Sequence, residues 1–137
     1  PNQLESAIQT VNQFPNQEFV LDHIAKPYIK NQSLHPWKSL IQELAKASNV
    51  SCKISGLITE ADLKNWEARQ IEPYLDVVFN AFGEDRVLFG SDWPVCLLAG
   101  SYDEVVGLVS NYTADFSSKA KNKLFGANAA RIYNITV

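Results

Sequence analysis

The chain has few of the residues that bind metals or form crosslinks: its 137 residues include two cysteines, two histidines and no methionine. Cys52 and Cys96 lack the spacing of a metal site, so we expect two reduced thiols, buried as small apolar groups. No run approaches the roughly 20 apolar residues that cross a membrane, and no signal peptide is visible. These absences favour a cytoplasmic protein. The start at Pro1 without any methionine predicts a piece of a longer chain.

Neither sign of charge is in large excess. The formal net charge is −3, so the sequence lacks the basic footprint of a nucleic-acid-binding protein. Hydrophobic residues make up 46% of the chain and charged residues 20%, which is a globular rather than a disordered composition. We therefore predict one domain over residues 1–137, with no nucleic-acid partner and no membrane partner.

Residues 86–94 are the most informative stretch. Val87 to Phe89 predict a buried strand of the parallel kind, because no polar residue alternates with the apolar ones. Asp92 follows the end of this strand at once, and Pro94 prevents a regular continuation. Since catalytic groups gather at the carboxyl ends of parallel strands, Asp92 is a candidate base or metal ligand. The alternative is that it only caps the turn.

Two more apolar segments carry polar residues at or near their carboxyl ends. Residues 18–24 predict a strand that ends on a polar pair containing His23, shortly before Pro27. Residues 50–54 predict a third strand, in which Lys53 interrupts the buried run. His23 is either a site residue or a satisfied polar residue. Lys53 is either a cation aimed at a substrate oxygen or a lysine that snorkels from the strand end.

Helical patterns separate the predicted strands, which implies parallel pairing through right-handed crossovers. Three strands are few for a doubly wound sheet, and no glycine-rich phosphate loop is present. The α/β pattern fits about three units of a (β/α)8 barrel, which needs about 250 residues. The predicted helices cover residues 3–14, 36–48, 61–66 in part, 71–82, 102–109, 117–125 and 128–133, with Gly83 and Gly126 as helix ends.

Four short motifs carry a resemblance to a known family. Together they resemble the C-terminal half of an amidohydrolase-2 hydrolase, a TIM-barrel enzyme, and within that family the sugar-lactonase branch. That branch includes L-fuconolactonase, L-rhamnonolactonase and 2-pyrone-4,6-dicarboxylate lactonase. The match spans nearly the whole chain. The motifs are LDHIAKP at 21–27, CKISGL at 52–57, FGSDWP at 89–94 and GANAARIY at 126–133.

The resemblance implies roles for six residues. Asp92 matches the aspartate that ends the eighth barrel strand, which is a general base or metal ligand in this superfamily. His23 matches the histidine that ends the sixth strand, and Lys53 the basic residue on the seventh. The implied catalytic residues are Asp92 and His23, and the implied substrate-binding residues are Lys53, Lys26, Trp93 and His35.

The sequence also departs from the family pattern. It contains no His-x-His pair, and the first five strands of the barrel are absent. We therefore expect no cofactor or one divalent, zinc-like metal, held by His23 and Asp92 only if a metal is used. Two ligands alone should bind zinc poorly, because catalytic zinc sites have three protein ligands. The missing N-terminal half, or self-association with another copy, is the expected partner.

The resemblance predicts hydrolysis of a sugar lactone or similar cyclic ester in the full-length protein. Asp92 would activate water, while His23 and Lys53 would polarise the ester carbonyl. The fragment alone is predicted to be inactive. Two alternatives stay open: a related metal-dependent decarboxylase or amidohydrolase, and a catalytically incomplete fragment that is stable only as an oligomer.

Overall fold

The computed structural model describes residues 1–136, and its centre is a three-stranded parallel sheet. The strands are β1 (Phe19–Leu21), β2 (Val50–Ile54) and β3 (Val87–Phe89), in the order β1-β2-β3. In the register of the sheet Leu21 lies opposite Cys52, and Ile54 lies opposite Phe89. All three carboxyl ends therefore meet at one edge of the sheet, as the sequence predicted.

Helices connect the strands and cover one face of the sheet. A helix of eight residues follows β1 and one of 15 residues follows β2, so the chain forms β/α units with parallel strands. The predicted α/β class is confirmed. The helices are α1 (Leu4–Gln13), α2 (Trp37–Leu44), α3 (Ala68–Phe82), α4 (Tyr102–Tyr112), α5 (Ser118–Asn122) and α6 (Asn128–Ile132).

The two faces of the sheet differ in composition. Alternate strand residues join the hydrophobic core under the helices, among them Val50, Cys52 and Ile54 of β2. The residues between them, Ser51 and Lys53, point to the opposite face, because successive side chains of a strand alternate. In a closed barrel this opposite face is the interior. The buried, unpaired state expected for both cysteines is confirmed.

The predicted strand over residues 18–24 was too long. The strand ends at Leu21, and residues 22–25 form a tight turn instead. His23 and Ile24 have φ values of 51° and 44°, in the left-handed region that a strand does not use. The polar pair at the end of the predicted strand thus lies in a turn above the sheet.

Three helix predictions also needed correction. The helical piece expected at 61–66 is absent; a single turn at Ile58–Glu60 precedes it. Helix α3 begins at Ala68 rather than 71, because a capping box between Glu67 and Gln70 starts it earlier. Gly126 does not end a helix, since a π-helical turn at Lys123–Ala127 joins α5 to α6. Gly83 does end α3, as predicted.

Between residues 1 and 136, none of the helices has the length and apolar character needed to cross a bilayer. The core instead lies between the sheet and the helices. Trp37 of α2 and Tyr74 of α3 are its largest fully buried side chains, and their rings pack at 5.3 Å. This core fixes the positions from which the polar strand ends project.

Candidate active site

Polar side chains converge at the carboxyl edge of the sheet. Leu21 is paired with Cys52, so the next residues along β1 and β2, Asp22 and Lys53, lie at the same level. The Nζ atom of Lys53 is 2.6 Å from Oδ1 of Asp22. Register alone therefore brings an acid and a base from neighbouring strands into an ion pair.

A left-handed turn directs His23 into this cluster. Four consecutive residues, from His23 to Lys26, have φ values between 44° and 60°. Such conformations cost about 1–3 kcal/mol per residue and persist only where the surroundings impose them. Ile24 is buried, and its carbonyl oxygen accepts a hydrogen bond of 2.7 Å from Nε1 of the buried Trp37. The core thus holds the turn, and the turn sets the direction of the imidazole.

Both ring nitrogens of His23 face oxygen atoms. Nε2 is 3.2 Å from Oδ2 of Asp22, and Nδ1 is 2.8 Å from Oγ of the buried Ser55. Nδ1 also faces Oδ1 of Asp92, at 3.9 Å. Gly56 leaves room for the ring, because a Cβ atom there would come within 3.1 Å of Nδ1. The imidazole is therefore fixed from several sides.

Asp92 differs from the other carboxylates of the cluster. Its side chain is 12% exposed, and among residues 1–136 the nearest basic group is His23, at 3.9 Å. Asp22 is paired with Lys53 instead, and Glu60 accepts a 2.6 Å hydrogen bond from Lys26. Asp92 has a φ of 58°, which aspartate tolerates better than most residues. A largely buried carboxylate without a close cation is available as a base.

The remaining predicted site residues lie at different distances from this cluster. Lys26 ends the left-handed turn, lines the same groove as His23, and pairs with Glu60. Trp93 is 63% exposed beside Asp92, and its backbone N–H donates to Oγ of Ser91 at 3.2 Å. His35 lies elsewhere: it lines a separate groove with Tyr28, Ser33 and Trp37, among others. The structure therefore brings together His23, Lys26, Lys53 and Asp92, with Trp93 adjacent to them.

Three residues of the cluster were not predicted as site residues. Asp22 and Ser55 carried a usable signal: Asp22 lies level with Lys53 on the next strand, and Ser55 lies two residues beyond Lys53, on the same face of the sheet. Glu60 carried none, because it reaches Lys26 from a single turn that sequence periodicity does not reveal.

A groove of about 310 Å³ opens beside the cluster, along the free edge of β1. Its walls combine apolar and polar side chains, and its titratable side chains belong to residues 22–26, at the turn that carries the imidazole. The lining residues include Leu4, Leu21, Asp22, His23, Ala25 and Lys26. The groove places space for a small molecule directly against His23.

The buried thiol below the cluster is not a nucleophile at neutral pH. Burial raises the pKa of Cys52 far above its usual range, and the negative charge of Asp22 raises it further. The group therefore stays a neutral thiol under the sheet, which agrees with the purely apolar role expected from the sequence.

The cluster fits a metal ion only in part. His23 and Asp92 present a nitrogen and an oxygen 3.9 Å apart, so both could reach one ion. Catalytic zinc sites use three protein ligands, and residues 1–136 contain no group of three His, Cys, Asp or Glu side chains arranged to hold a metal. The chain by itself therefore does not supply a complete zinc site.

Fold and site together define a class of protein. Parallel β/α units, with polar side chains gathered at the carboxyl ends of the strands, are the arrangement of a (β/α)8-barrel enzyme. The family described as Amidohydrolase (Amidohydro_2) matches residues 1–135. The chain belongs to this amidohydrolase family, which confirms the resemblance seen in its four motifs.

Similar proteins include two lactonases. The chain is 45% identical over 124 residues to the L-fucono-1,5-lactonase of Burkholderia multivorans, covering 83% of this chain and 42% of that protein. It is 24% identical over 152 residues to the L-rhamnono-gamma-lactonase of Scheffersomyces stipitis, covering 97% of this chain and 45% of that protein. The chain thus spans about half the length of the curated relatives it matches.

A solved structure also matches this chain over about half of its own length. An amidohydrolase from Burkholderia multivorans with bound zinc superimposes with a TM-score of 0.94 at 40% identity. The match covers 98% of this chain and 50% of that one. The three β/α units are therefore a fragment of an amidohydrolase barrel, as the sequence predicted.

Proposed function

We propose that this chain forms the second half of a barrel that hydrolyses a sugar lactone or similar cyclic ester. The observation that carries the proposal is the unequal pairing of the carboxylates at the strand ends. Asp22 and Glu60 are each 2.6 Å from a lysine, whereas Asp92 has no basic group closer than His23, at 3.9 Å. The similarity to two lactonases supports the choice of substrate class.

Asp92 is the proposed general base. A water molecule bound to its carboxylate loses a proton to Asp92 while the oxygen attacks the lactone carbonyl. The ring C–O bond then breaks, and Asp92 returns the proton to the leaving alkoxide. The products are a hydroxy acid and the regenerated carboxylate, so one carboxylate serves both proton transfers.

Lys53 is the proposed electrophile. Its ammonium group has three N–H donors, and Asp22 faces one side of it at 2.6 Å. The other donors are available to a carbonyl oxygen that becomes negative in the transition state. A positioned donor of this kind contributes about 2.7–4 kcal/mol in a water-poor site. Since both nitrogens of His23 already face oxygens, we assign His23 to orienting the site, with a smaller share in polarising the carbonyl.

The pairing of the lysines favours a neutral, hydroxylated substrate. Lys26 and Lys53 are each neutralised by a carboxylate of this chain, Glu60 and Asp22 respectively. A substrate carboxylate would have to displace one of these partners. Sugar hydroxyls both donate and accept hydrogen bonds, so they match mixed lysine–carboxylate pairs. Trp93, which is exposed beside Asp92, is a proposed wall of the pocket, and His35 stays a sequence prediction.

A panel of lactones tests this proposal. We expect the full-length protein to hydrolyse neutral aldonolactones faster than lactones that carry carboxylates. Reaction in H₂¹⁸O should place one labelled oxygen in the carboxylate of the product, because water attacks the carbonyl carbon. Turnover of anionic lactones alone, or no lactone turnover by well-folded protein, would contradict the proposal.

Metal-assisted hydrolysis is a second candidate. It is favoured by the zinc bound to the related Burkholderia multivorans amidohydrolase and by the convergence of His23 and Asp92. Metal analysis of the full-length protein and treatment with a chelator separate the two candidates. Activity that survives complete removal of metal supports the first, and activity that returns only with added zinc supports the second.

The first half of the barrel, or another copy of the chain, is the proposed partner. Strand β1 has a free edge, and an apolar groove of about 180 Å³ runs along it between α1 and α2. An open sheet edge beside an apolar groove favours association. Size-exclusion chromatography of the isolated chain tests this, and a stable monomer would count against it. Inactivity of the isolated chain and a cytoplasmic location stay predictions.

A further inference from the structure

We propose that Asp22 is a positioning residue, whose carboxylate holds the Lys53 ammonium and the His23 imidazole in one fixed arrangement. Asp22 acts through these two groups and does not itself contact the reacting atoms. The kinetic part of this inference rests on the proposed lactone hydrolysis. Its structural part, the bridging contact, stands independently of any activity.

Each oxygen of the Asp22 carboxylate faces a different partner. Oδ1 lies 2.6 Å from Nζ of Lys53, and Oδ2 lies 3.2 Å from Nε2 of His23. Lys53 belongs to β2, while Asp22 and His23 follow β1, so the carboxylate links the ends of two strands. On its far side the imidazole is limited by Ser55, at 2.8 Å from Nδ1.

The methylene stem of Lys53 is held by packing, whereas its ammonium group depends on an ion-pair partner. A Cβ atom on Gly90 would come within 3.1 Å of Cδ of Lys53, so the stem lies directly against the backbone of β3. A four-carbon side chain loses rotamer freedom when its stem is packed in this way. Asp22 then determines where the ammonium group points.

The exposure of Asp22 argues against a role in stability. Its side chain is 53% exposed, and exposed ion pairs contribute only about 0–1 kcal/mol to folding. A bridge that contributes little to stability, yet aligns two groups of a candidate site, is better explained by the site. Among the described residues Asp22 is the carboxylate that pairs with Lys53, so its loss leaves the ammonium group without this partner.

The kinetic test compares two substitutions that each break one lysine–carboxylate pair. In Asp22→Asn we expect kcat to fall about 10- to 100-fold with KM changed less than about threefold, because the reacting groups lose their alignment. Asp62→Asn is the matched control: Asp62 pairs with Lys30 at 3.2 Å, outside the cluster. Asp22→Glu should restore part of kcat. Equal kcat values in Asp22→Asn and Asp62→Asn would overturn the inference.

A double-mutant cycle separates positioning from an independent effect. If Asp22 acts through Lys53, Asp22→Asn should cost less kcat in the Lys53→Met background than in the wild type, since one of its two partners is already absent. Losses that multiply fully would overturn the part of the assignment that runs through Lys53. The thermal unfolding temperature of each variant should match that of the wild type, because each substitution removes the same exposed ion pair.

A spectroscopic measurement tests the contact without any assay of activity. The ¹⁵N–¹H signal of the Lys53 ammonium, assigned by its loss in Lys53→Met, should persist at low temperature because the ion pair slows hydrogen exchange. We expect it to disappear in Asp22→Asn and to remain in Asp62→Asn. A signal that is unchanged in Asp22→Asn overturns the bridge. If the signal behaves as expected but the wild type hydrolyses no lactone, the bridge is supported and the proposed function fails.

Discussion

The two edges of the sheet, at the two ends of its strands, use polar side chains differently. At the carboxyl edge, side chains pair with one another: Asp22 with Lys53, and Lys26 with Glu60. At the amino edge, apart from one ion-paired lysine, side chains mainly bind the main chain. There the guanidinium of Arg86 donates hydrogen bonds of 2.9–3.0 Å to the carbonyls of residues 45, 47 and 50.

Two asparagines extend the pattern at the amino edge. Nδ2 of Asn49 donates to the carbonyls of Phe14 and Gln17, at 3.0 and 2.8 Å. Nδ2 of Asn128 donates to the carbonyls of Glu84 and Val87, at 2.8 and 2.7 Å. Both asparagines are buried, and each donates to two carbonyl oxygens of other segments of the chain.

This difference indicates that contacts at the amino edge stabilise the fold, whereas side chains at the carboxyl edge are available for chemistry. Side chains that donate to the main chain fix loops against strands, and removing one leaves a buried acceptor without a donor. Side chains that pair with one another leave the main chain unaffected, and here they leave Asp92 without a lysine partner among residues 1–136, facing only His23 at 3.9 Å. Substitutions at the two edges should therefore separate activity from stability.

The largest effect on activity is expected at Asp92. Asp92→Asn keeps the size of the side chain and tolerates the left-handed φ of 58°, but it cannot accept a proton from water. We expect kcat to fall about 10²- to 10⁴-fold, the usual contribution of a general base, with unchanged thermal unfolding. Steady-state kinetics and calorimetry of the full-length protein measure the two quantities. The exposed Asp115→Asn serves as control, and near-wild-type turnover in Asp92→Asn would remove the role.

The largest effect on stability is expected at the amino edge. Asn128→Ala removes the donor to the carbonyls of Glu84 and Val87, which should lower the free energy of unfolding by about 1–3 kcal/mol. Urea unfolding measures this change, with the exposed Asn111→Ala in α4 as the matched control. Below the unfolding transition kcat should stay near the wild-type value. A large fall in kcat with unchanged stability would contradict the assignment of the amino edge to stability rather than activity.

A smaller effect on activity is expected from one added methyl group at the carboxyl edge. In Gly90→Ala the new Cβ would meet Cδ of Lys53 at 3.1 Å and Cβ of Ser55 at 3.2 Å. One of these side chains must move by a few tenths of an ångström, and we expect kcat to fall about tenfold. Gly107→Ala in α4 is the control, because beyond the backbone of its own helix no heavy atom lies within 4 Å of the added Cβ. Identical kinetics in the two variants would show that the Lys53 stem is not confined.

Part of the difference between the two edges of the sheet was predictable from the sequence. Apolar runs that end on His23 and Asp92 predicted neighbouring parallel strands with their polar ends together, because strand type and turn residues are local signals. Most helices could also be predicted, apart from their ends and from the helical piece expected at 61–66, which is absent. The burial of both cysteines followed from their isolation in the sequence.

The rest depends on tertiary contacts that leave no local pattern. The left-handed turn from His23 to Lys26 contains no glycine, so nothing in its sequence indicates positive φ; the buried Trp37 and Ile24 impose it. The amino edge was missed for a related reason. Asn128 and Arg86 look like ordinary surface residues, and their partners are carbonyls about 36–44 residues away in the chain.

The smallest effect concerns acid stability at the amino edge, just before β3. The Lys123 ammonium, 2.6 Å away, holds the pKa of Asp85 below its usual value of 3.8. As the pH falls, Asp85 therefore binds a proton in the unfolded chain before it does so in the folded chain. The ion pair stabilises the fold above about pH 3.8, and this contribution is lost as the pH falls through the pKa of the folded state. Asp85→Asn should be slightly less stable than the wild type at pH 7, and the difference should shrink as the pH falls below 3.8. Urea unfolding at pH 7 and at pH values below 3.8 measures the difference. A difference that grows in acid would contradict this assignment.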